Sequence, residues 1–244
     1  MQKNQKYLLI GNGRLASHLA FYFDYKNMEC LKWNRSANIS LISILPETEK
    51  ILLAISDDAI EKFITTNSKN LMDKTIIHFS GNLSLNGIES AHPLMTFGDT
   101  LYPEEFYETI PFITEKGKST FKELFPELSN PNYQINSTDK PLYHAWCSMA
   151  GNFTTILWKS FENRLTENFN IPKEVILPYL NKITENIIHS KNPLTGPFVR
   201  KDFETIKKHR EALRDDSFLN IYDEFFNCYF NKKKKDEAYF EDSC

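Results

Sequence analysis

A short apolar run, KYLLI at positions 6–10, passes directly into Gly11-Asn12-Gly13-Arg14-Leu15-Ala16. Positions 15–23 then carry apolar side chains at helical spacing. A strand that turns through GxGxxA into a helix constrains the chain more than any other feature, because each small residue answers a separate steric demand. Gly11 permits the tight turn, Gly13 lets a pyrophosphate approach the backbone, and Ala16 lets helix and sheet pack closely. The helix N-terminus offers unpaired N–H groups to phosphates. The motif also occurs as a plain β–α turn with no ligand; the correct flanks favour nucleotide binding, with Gly11, Asn12, Gly13, Arg14 and Leu15 as the phosphate loop.

Further along, strand-like and helix-like pieces alternate. Positions 29–33 (ECLKW), 51–55 (ILLAI), 75–79 (TIIHF) and 109–113 (TIPFI) read as strands, and 133–135 as a last edge strand; 59–66 reads as a helix. Such alternation predicts βαβ units and a mainly parallel, doubly wound sheet. After about position 138 the pattern changes. Leu142, Trp146, Met149, Phe153, Ile156, Leu157 and Phe161 recur every three or four residues, which predicts one long helix over 141–165. Further helices are expected over 172–189, with a possible kink at Pro178, and over 202–213 and 218–230. The fold class is therefore α/β, an N-terminal doubly wound domain over 1–138 followed by an all-helical domain over 139–244.

The end of the second strand selects the adenosine partner. Where a NAD enzyme carries an Asp or Glu for the ribose 2′-hydroxyl, this chain has Trp33-Asn34-Arg35-Ser36. Arg35 suits a 2′-phosphate and stacking on adenine, with Asn34 and Ser36 hydrogen-bonding; the pattern favours NADP(H) over NAD(H), the plain alternative being a surface arginine in a loop. Ligands in doubly wound sheets sit beyond the carboxyl ends of the strands, which places Ile55, Ser56 and Asp57, and then Ser80 and Gly81, beside the cofactor. Asp57 or Asp58 alternatively caps the following helix.

Composition narrows the partners. The 244 residues carry 29 Lys+Arg against 32 Asp+Glu, a net charge of −3, so no basic field recruits nucleic acid. Four lysines at 232–235 are followed by acids and read as a solvated tail. No apolar run reaches the ~20 residues of a membrane span. The N-terminal apolar segment is too short for a secretory signal, so no membrane partner and a cytoplasmic location are expected. Cys30, Cys147, Cys228 and Cys244 form no CxxC and no Cys/His ligand spacing, so neither disulfides nor a metal is expected.

GNGRLASHLA, WNRS, LLAISDDAI, HFSGNLS, AHPLMTF, YHAWCSMAGN and TGPFVRKDFETIKKH follow one another as in a bacterial family of Rossmann-like proteins with a DUF2520 C-terminal domain. The chain resembles that family over all but about its last dozen residues. The family is in turn similar to the superfamily of pyrroline-5-carboxylate reductase, 6-phosphogluconate dehydrogenase and F420-dependent NADP reductase. The resemblance implies an NADP-binding Rossmann-type domain and a helical domain that commonly dimerises, but no particular substrate. Crowded aromatics from Phe218 to Phe230 also point to a homodimer through the helical domain.

His144, Ser148 and Asn152 stand at i, i+4 and i+8, on one face of the long helix. In β-hydroxyacid dehydrogenase relatives the equivalent helix presents Lys-x-x-x-Asn; here Ser148 stands in place of the lysine. His144 is then the candidate proton donor or acceptor, since imidazole titrates near neutrality. A buried polar stripe bonded to the other domain is the alternative. His92, in Ala91-His92-Pro93-Leu94, resembles the His-Pro element of prephenate-type dehydrogenases and is otherwise a turn histidine. His78, inside a strand, reads as a satisfied core residue. Arg200 suits a substrate carboxylate or phosphate, or a structural salt bridge, and Asp202 suits an N-cap. The leading expectation is an NADP-dependent oxidoreductase acting on a small anionic carbonyl, imine or hydroxy compound. The alternative is a catalytically inactive NADP-binding sensor or scaffold, which the missing lysine favours.

Overall fold

The structure is a computed structural model that describes residues 6–241, with side chains through position 231. The side chains of the lysine run at 232–235 lie outside the described residues. The chain forms two compact units, Met1–Lys159 and Ser160–Cys244.

The first unit is built on five parallel strands: β1 (Tyr7–Ile10), β2 (Cys30–Trp33), β3 (Lys50–Leu53), β4 (Thr75–His78) and the two-residue β5 (Glu89–Ser90). Their order is β2-β1-β3-β4-β5, with Tyr7 opposite both Cys30 and Lys50, Leu53 opposite His78, and His78 opposite Ser90. β1 and β3 are buried at every position. Alternation along β1 divides its side chains between two cores. Tyr7 and Leu9 pack with Leu19, Tyr22 and Phe23 of α1 (Arg14–Tyr25). Leu8 and Ile10 pack with Leu41 and Ile44 of α2 (Leu41–Ile44) and with Ile60 and Leu71 of α3 (Asp57–Leu71). Helices therefore cover both faces, the doubly wound arrangement expected from the alternating pattern.

Two expected strands do not extend this sheet. Phe112–Glu115 (β7) lies between His92–Pro93 (β6), antiparallel to it, and Asn132–Ile135 (β8), parallel to it, in a separate three-stranded sheet. The strand expected over 109–113 starts at Phe112 instead, since Pro111 has no N–H to give to a ladder. Between these strands lie α4 (Glu104–Tyr107) and α5 (Phe121–Leu124), the latter opened by a capping box from Thr120 and Glu123. His92, expected on a loop, is therefore the start of a strand, held opposite Ile113.

The long helix is interrupted. It runs as α6 (Lys140–Ser148), a π-helical turn over Met149–Phe153, and α7 (Thr154–Phe169). π turns are rare and frequent at functional sites. Compactness divides the chain inside α7, because the first residue of α6 is bonded deep in the first unit (Lys140 Nζ to Glu115 and Ser90).

In the second unit a short 3-10 turn, Lys173–Ile176, leads into α8 (Leu177–His189), followed by α9 (Pro197–Arg200), α10 (Phe203–Ala212) and α11 (Leu219–Glu241). Pro178 lies in the first turn of α8, where its missing N–H costs nothing, so it starts that helix and does not kink it. Asp202 caps α10 through the Thr205 N–H at 3.1 Å. Arg164 grips Asp216 with two nitrogens, Nε at 3.0 Å and Nη2 at 2.8 Å, and lies over the Phe218 ring. Phe198 meets the rings of Tyr222, Phe226, Tyr229 and Phe230, so part of the aromatic crowding near the C-terminus is a small internal cluster.

The two turn glycines differ in what they do for folding. Gly11 has φ +139, and a Cβ there would stand 2.2 Å from the Ala54 carbonyl oxygen. A Cβ on Gly13, whose φ is −78, would meet nothing within 4 Å. Gly11→Ala should therefore lose about 3 kcal/mol through strain and overpacking. Gly13→Ala should stay within about 0.5 kcal/mol of the unmutated protein. Urea unfolding of the two variants checks this, and equal midpoints would contradict it.

Candidate functional site

The carboxyl ends of β1, β2 and β3 open onto a hollow of about 610 Å³. Its floor is the turn Gly11, Asn12, Gly13, Arg14 and Leu15, and its walls include Asn34, Arg35, Ile55 and Ser56. Nine of the expected cofactor residues thus share one cavity. Helix α3 adds five that the sequence did not single out: Ala59, Lys62, Phe63, Thr66 and Asn67. Their signal was weak, a stretch of helix with no motif. Lys62 and Arg35 bring two cations to one cavity, and both are exposed.

A dinucleotide fits these residues. Gly11 is a glycine because the protein packs on it, whereas the space above Gly13 at the start of α1 is open. An opening of that kind at a helix N-terminus leaves room for an anion to reach backbone N–H groups. Ala16 is buried, and its Cβ lies 3.4 Å from the position a Cβ on Gly11 would take, as close helix–sheet packing requires. Arg14 pairs with Asp99 (Nε to Oδ1 2.6 Å), an exposed contact from a loop the sequence left unassigned.

The other expected cofactor residues lie outside the hollow. Ser36 turns back to Asn34, its N–H bonding Oδ1 at 2.9 Å. Ser80 donates to Asp57 Oδ2 at 2.7 Å and accepts from the N–H groups of Asn82 and Leu83 at 3.1 and 3.0 Å. These two side chains hold the turn after β4. Ser56, not Asp57, occupies the cap position of α3.

Gly81 follows, and two histidines press on it. A Cβ there would lie 2.6 Å from Cδ2 of His144 and 3.0 Å from both Cδ2 and Nε2 of His92. The imidazoles meet edge to face, with centroids 5.6 Å apart. His92 Nδ1 is 2.9 Å from the Tyr143 hydroxyl. Burial, then the charges of His144 and Lys140, push the His92 pKa down to about 4, so its ring is neutral at pH 7. Ser148 is half-buried one turn beyond His144, and Asn152 is exposed in the π turn. Arg200 is exposed on α9 in the second unit. His78 is fully buried but satisfied at only one nitrogen: Nδ1 accepts from the Ser80 N–H at 3.2 Å, and Nε2 is buried without a partner. Burial, then Lys140, push its pKa to about 4.

Beneath the histidines lies a buried ion pair absent from the sequence reading. Glu115 on β7 is 1% exposed and Lys140 is 3% exposed, with Nζ 3.0 Å from Oε1. Glu115 also accepts from Ser84 at 2.6 Å, Ser90 at 2.8 Å and Lys118 at 3.0 Å. Burial opposes its ionisation, but these donors outweigh it and hold the pKa at about 2. Burial dominates at Lys140 and lowers its pKa. No contiguous motif announces this cluster, because its members are scattered from 84 to 140. Among the described residues no group of three or more His, Cys, Asp or Glu is placed to hold a metal, and no helix is long and apolar enough to cross a membrane.

Strand order, parallel register and the glycine turn define a Rossmann-type domain followed by helices. Residues 110–227 match the family model described as "Domain of unknown function (DUF2520)", so the chain carries a DUF2520 domain. A comparison with curated proteins finds no match. Among solved structures, a proposed NADP oxidoreductase from Bacteroides fragilis superposes with a TM-score of 0.73 at 18% identity, covering 93% of this chain and 98% of that one. Pyrroline carboxylate reductase of Plasmodium falciparum, solved with NADP bound, gives 0.60 at 15% identity over 95% and 98% of the two chains. A reductive aminase from Aspergillus terreus, in complex with NADPH and ethyl levulinate, gives 0.63 at 12% identity over 96% and 95%. At these identities the likeness establishes the fold.

The ion pair yields a stability prediction. Glu115→Gln leaves Lys140 buried without its counter-charge and should cost about 3–5 kcal/mol in urea unfolding at pH 7. Because the folded pKa is depressed, Glu115 stabilises the fold above its ordinary value near 4.5. That contribution is lost as pH falls towards about 2. The variant should therefore show a shallower decline in stability between these two values, and an identical acid profile would contradict the assignment.

Proposed function

We propose that the protein is an NADP(H)-dependent oxidoreductase that moves hydride to or from a small carbonyl, imine or hydroxy compound. The single observation that carries this reading is the hollow over Gly13, where open space above a helix N-terminus is joined to Arg35 and Lys62. Gly11, Asn12, Gly13, Arg14 and Leu15 would hold the pyrophosphate, and Arg35 with Lys62, Asn34 and Ser36 the 2′-phosphate. Ile55 and Ser56 would line the cofactor's path towards Asp57, Ser80 and Gly81. The bound nicotinamide supplies hydride chemistry. His92 and His144, gathered at Gly81 on the carboxyl edge of the same sheet, would meet the substrate and manage its proton, with Ser148 and Asn152 on the helix that carries His144. The domains at 1–138 and 139–244 would divide cofactor binding from substrate binding and dimerisation.

Calorimetry should find NADPH binding more tightly than NADH. Arg35→Ala and Lys62→Ala should each erase about 1–3 kcal/mol of that preference, the scale of a charge-assisted contact. Equal affinities in the unmutated protein would refute the cofactor assignment. His92→Ala and His144→Ala should leave NADPH affinity within about twofold while lowering turnover about 100-fold or more, the usual weight of acid–base groups. If no carbonyl, imine or hydroxy compound is turned over, the protein is a binding module and not an enzyme.

The protein works in the cytosol as a homodimer in this reading. Free thiols at Cys30, Cys147 and Cys228 suit a reducing compartment. Leu142, Trp146, Phe153 and Ile156 leave an apolar stripe on the helix, each more than half exposed, which a second copy would cover. Light scattering at micromolar concentration should give about twice the 28.5 kDa chain mass, and a monomer would overturn the dimer.

A further inference from the structure

His92, beside Gly81, has a polar neighbour at one of its two ring nitrogens. Tyr143 is half-buried on α6, and its hydroxyl lies 2.9 Å from His92 Nδ1, the rings meeting edge to face. Burial, then a hydrogen bond with the Cys147 thiol, raise the Tyr143 phenol well above its ordinary value. The opposite nitrogen, His92 Nε2, has no hydrogen-bond partner among the described residues. It is also not one of the buried unpartnered atoms, which are His78 Nε2 and Thr114 Oγ1. It therefore reaches solvent, beside Gly81, on the side where the imidazole of His144 also arrives.

A neutral imidazole carries one proton on two nitrogens, so the partner of one nitrogen decides what the other offers. Across the Tyr143–His92 contact two arrangements exist. The phenol donates to Nδ1, or Nδ1–H donates to the phenol oxygen. The imidazole nitrogen is the far stronger base and the phenol a good donor, so donation from Tyr143 pairs the better acid with the better base.

We propose that Tyr143 is a positioning residue that holds His92 as the Nε2–H tautomer, so that the site presents a hydrogen-bond donor to its substrate. The substrate atom received there must be an acceptor. That admits a carbonyl or hydroxyl oxygen and the lone pair of a neutral imine nitrogen, and rejects the N–H of a protonated imine, which has no lone pair to offer. Resting on the oxidoreductase reading, this narrows the substrates to those whose reacting oxygen or nitrogen keeps a free lone pair, aldehydes, ketones, alcohols and neutral imines, and excludes iminium ions. The low pKa of His92 keeps the donor neutral across the physiological range.

Long-range proton–nitrogen NMR of the 15N-histidine-labelled full chain tests the tautomer without any substrate. The expected spectrum shows a protonated Nε2 and an unprotonated Nδ1 for His92, unchanged from pH 8 to pH 5. Tyr143→Phe, which removes only the hydroxyl, should convert that single state into a mixture, with circular dichroism confirming an intact fold. Protonated Nδ1 in the unmutated protein, or a Tyr143→Phe spectrum identical to it, overturns the proposal. NADPH oxidation is then followed with cyclopentanone and 1-pyrroline at pH 8, which offer a lone pair, against the N-methyl-1-pyrrolinium ion, which offers none. Faster turnover of the ketone or the neutral imine supports the acceptor class, and faster turnover of the iminium ion overturns it. No turnover of any of the three overturns the oxidoreductase reading and the substrate class with it, while the tautomer result stands on its own spectrum.

Discussion

The carboxylate of Glu115 draws together four parts of the first unit that are distant in sequence. Ser84 lies beyond β4, Ser90 ends β5, Lys118 follows β7, and Lys140 opens α6. A charge this deeply buried is tolerated only when its lone pairs are met by donors, and losing one partner leaves a cost of several kcal/mol. The demand fixes positions beyond the cluster itself. His92 stands two residues after Ser90, and His144 one helical turn after Lys140, so one satisfied carboxylate orients both elements that carry the histidines. Gly81 completes the arrangement, since any Cβ there would drive the imidazoles away.

The cofactor end of the molecule obeys a different constraint. Gly11 is required by the protein, whose Ala54 carbonyl leaves no room for a side chain. Gly13 meets no protein atom, so its lack of a side chain serves whatever occupies the space above it. One glycine secures the fold and the other keeps a surface clear. The first unit thus joins a parallel sheet with two distinct places on one edge, an open glycine turn and a pair of packed imidazoles.

Legibility in the sequence followed the range of the interactions. Strands β1 to β4 and helices α1 and α3 were readable because burial on alternating faces and on one helical stripe leaves a periodic trace. The two-residue strands β5 and β6 were not, since so short a pairing leaves no period, and His92 was therefore expected on a loop. The separate sheet around β7 was also invisible, because strand pairing between distant segments has no local signature. Within the long helix, the π turn at Met149–Phe153 left the spacing of apolar residues nearly intact, so the break went unseen. Pro178 was ambiguous by itself, as a proline opening a helix and one kinking it look alike until the helix start is known.

By itself the sequence determined the local chemistry of this protein: a glycine turn between strand and helix, an arginine in place of an acid after β2, and the helical character of the back half. These are properties of contiguous residues, set by sterics and periodicity within a few positions. Tertiary structure alone decided that Lys62 shares a cavity with Arg35, that Glu115 and Lys140 form a buried pair, and that Tyr143 sits on the Nδ1 of His92. Each of these joins side chains from separate elements, and their meeting depends on the packing of the whole domain. The chemistry of an imidazole is written in one residue; which of its nitrogens carries the proton is set by a neighbour 51 positions away.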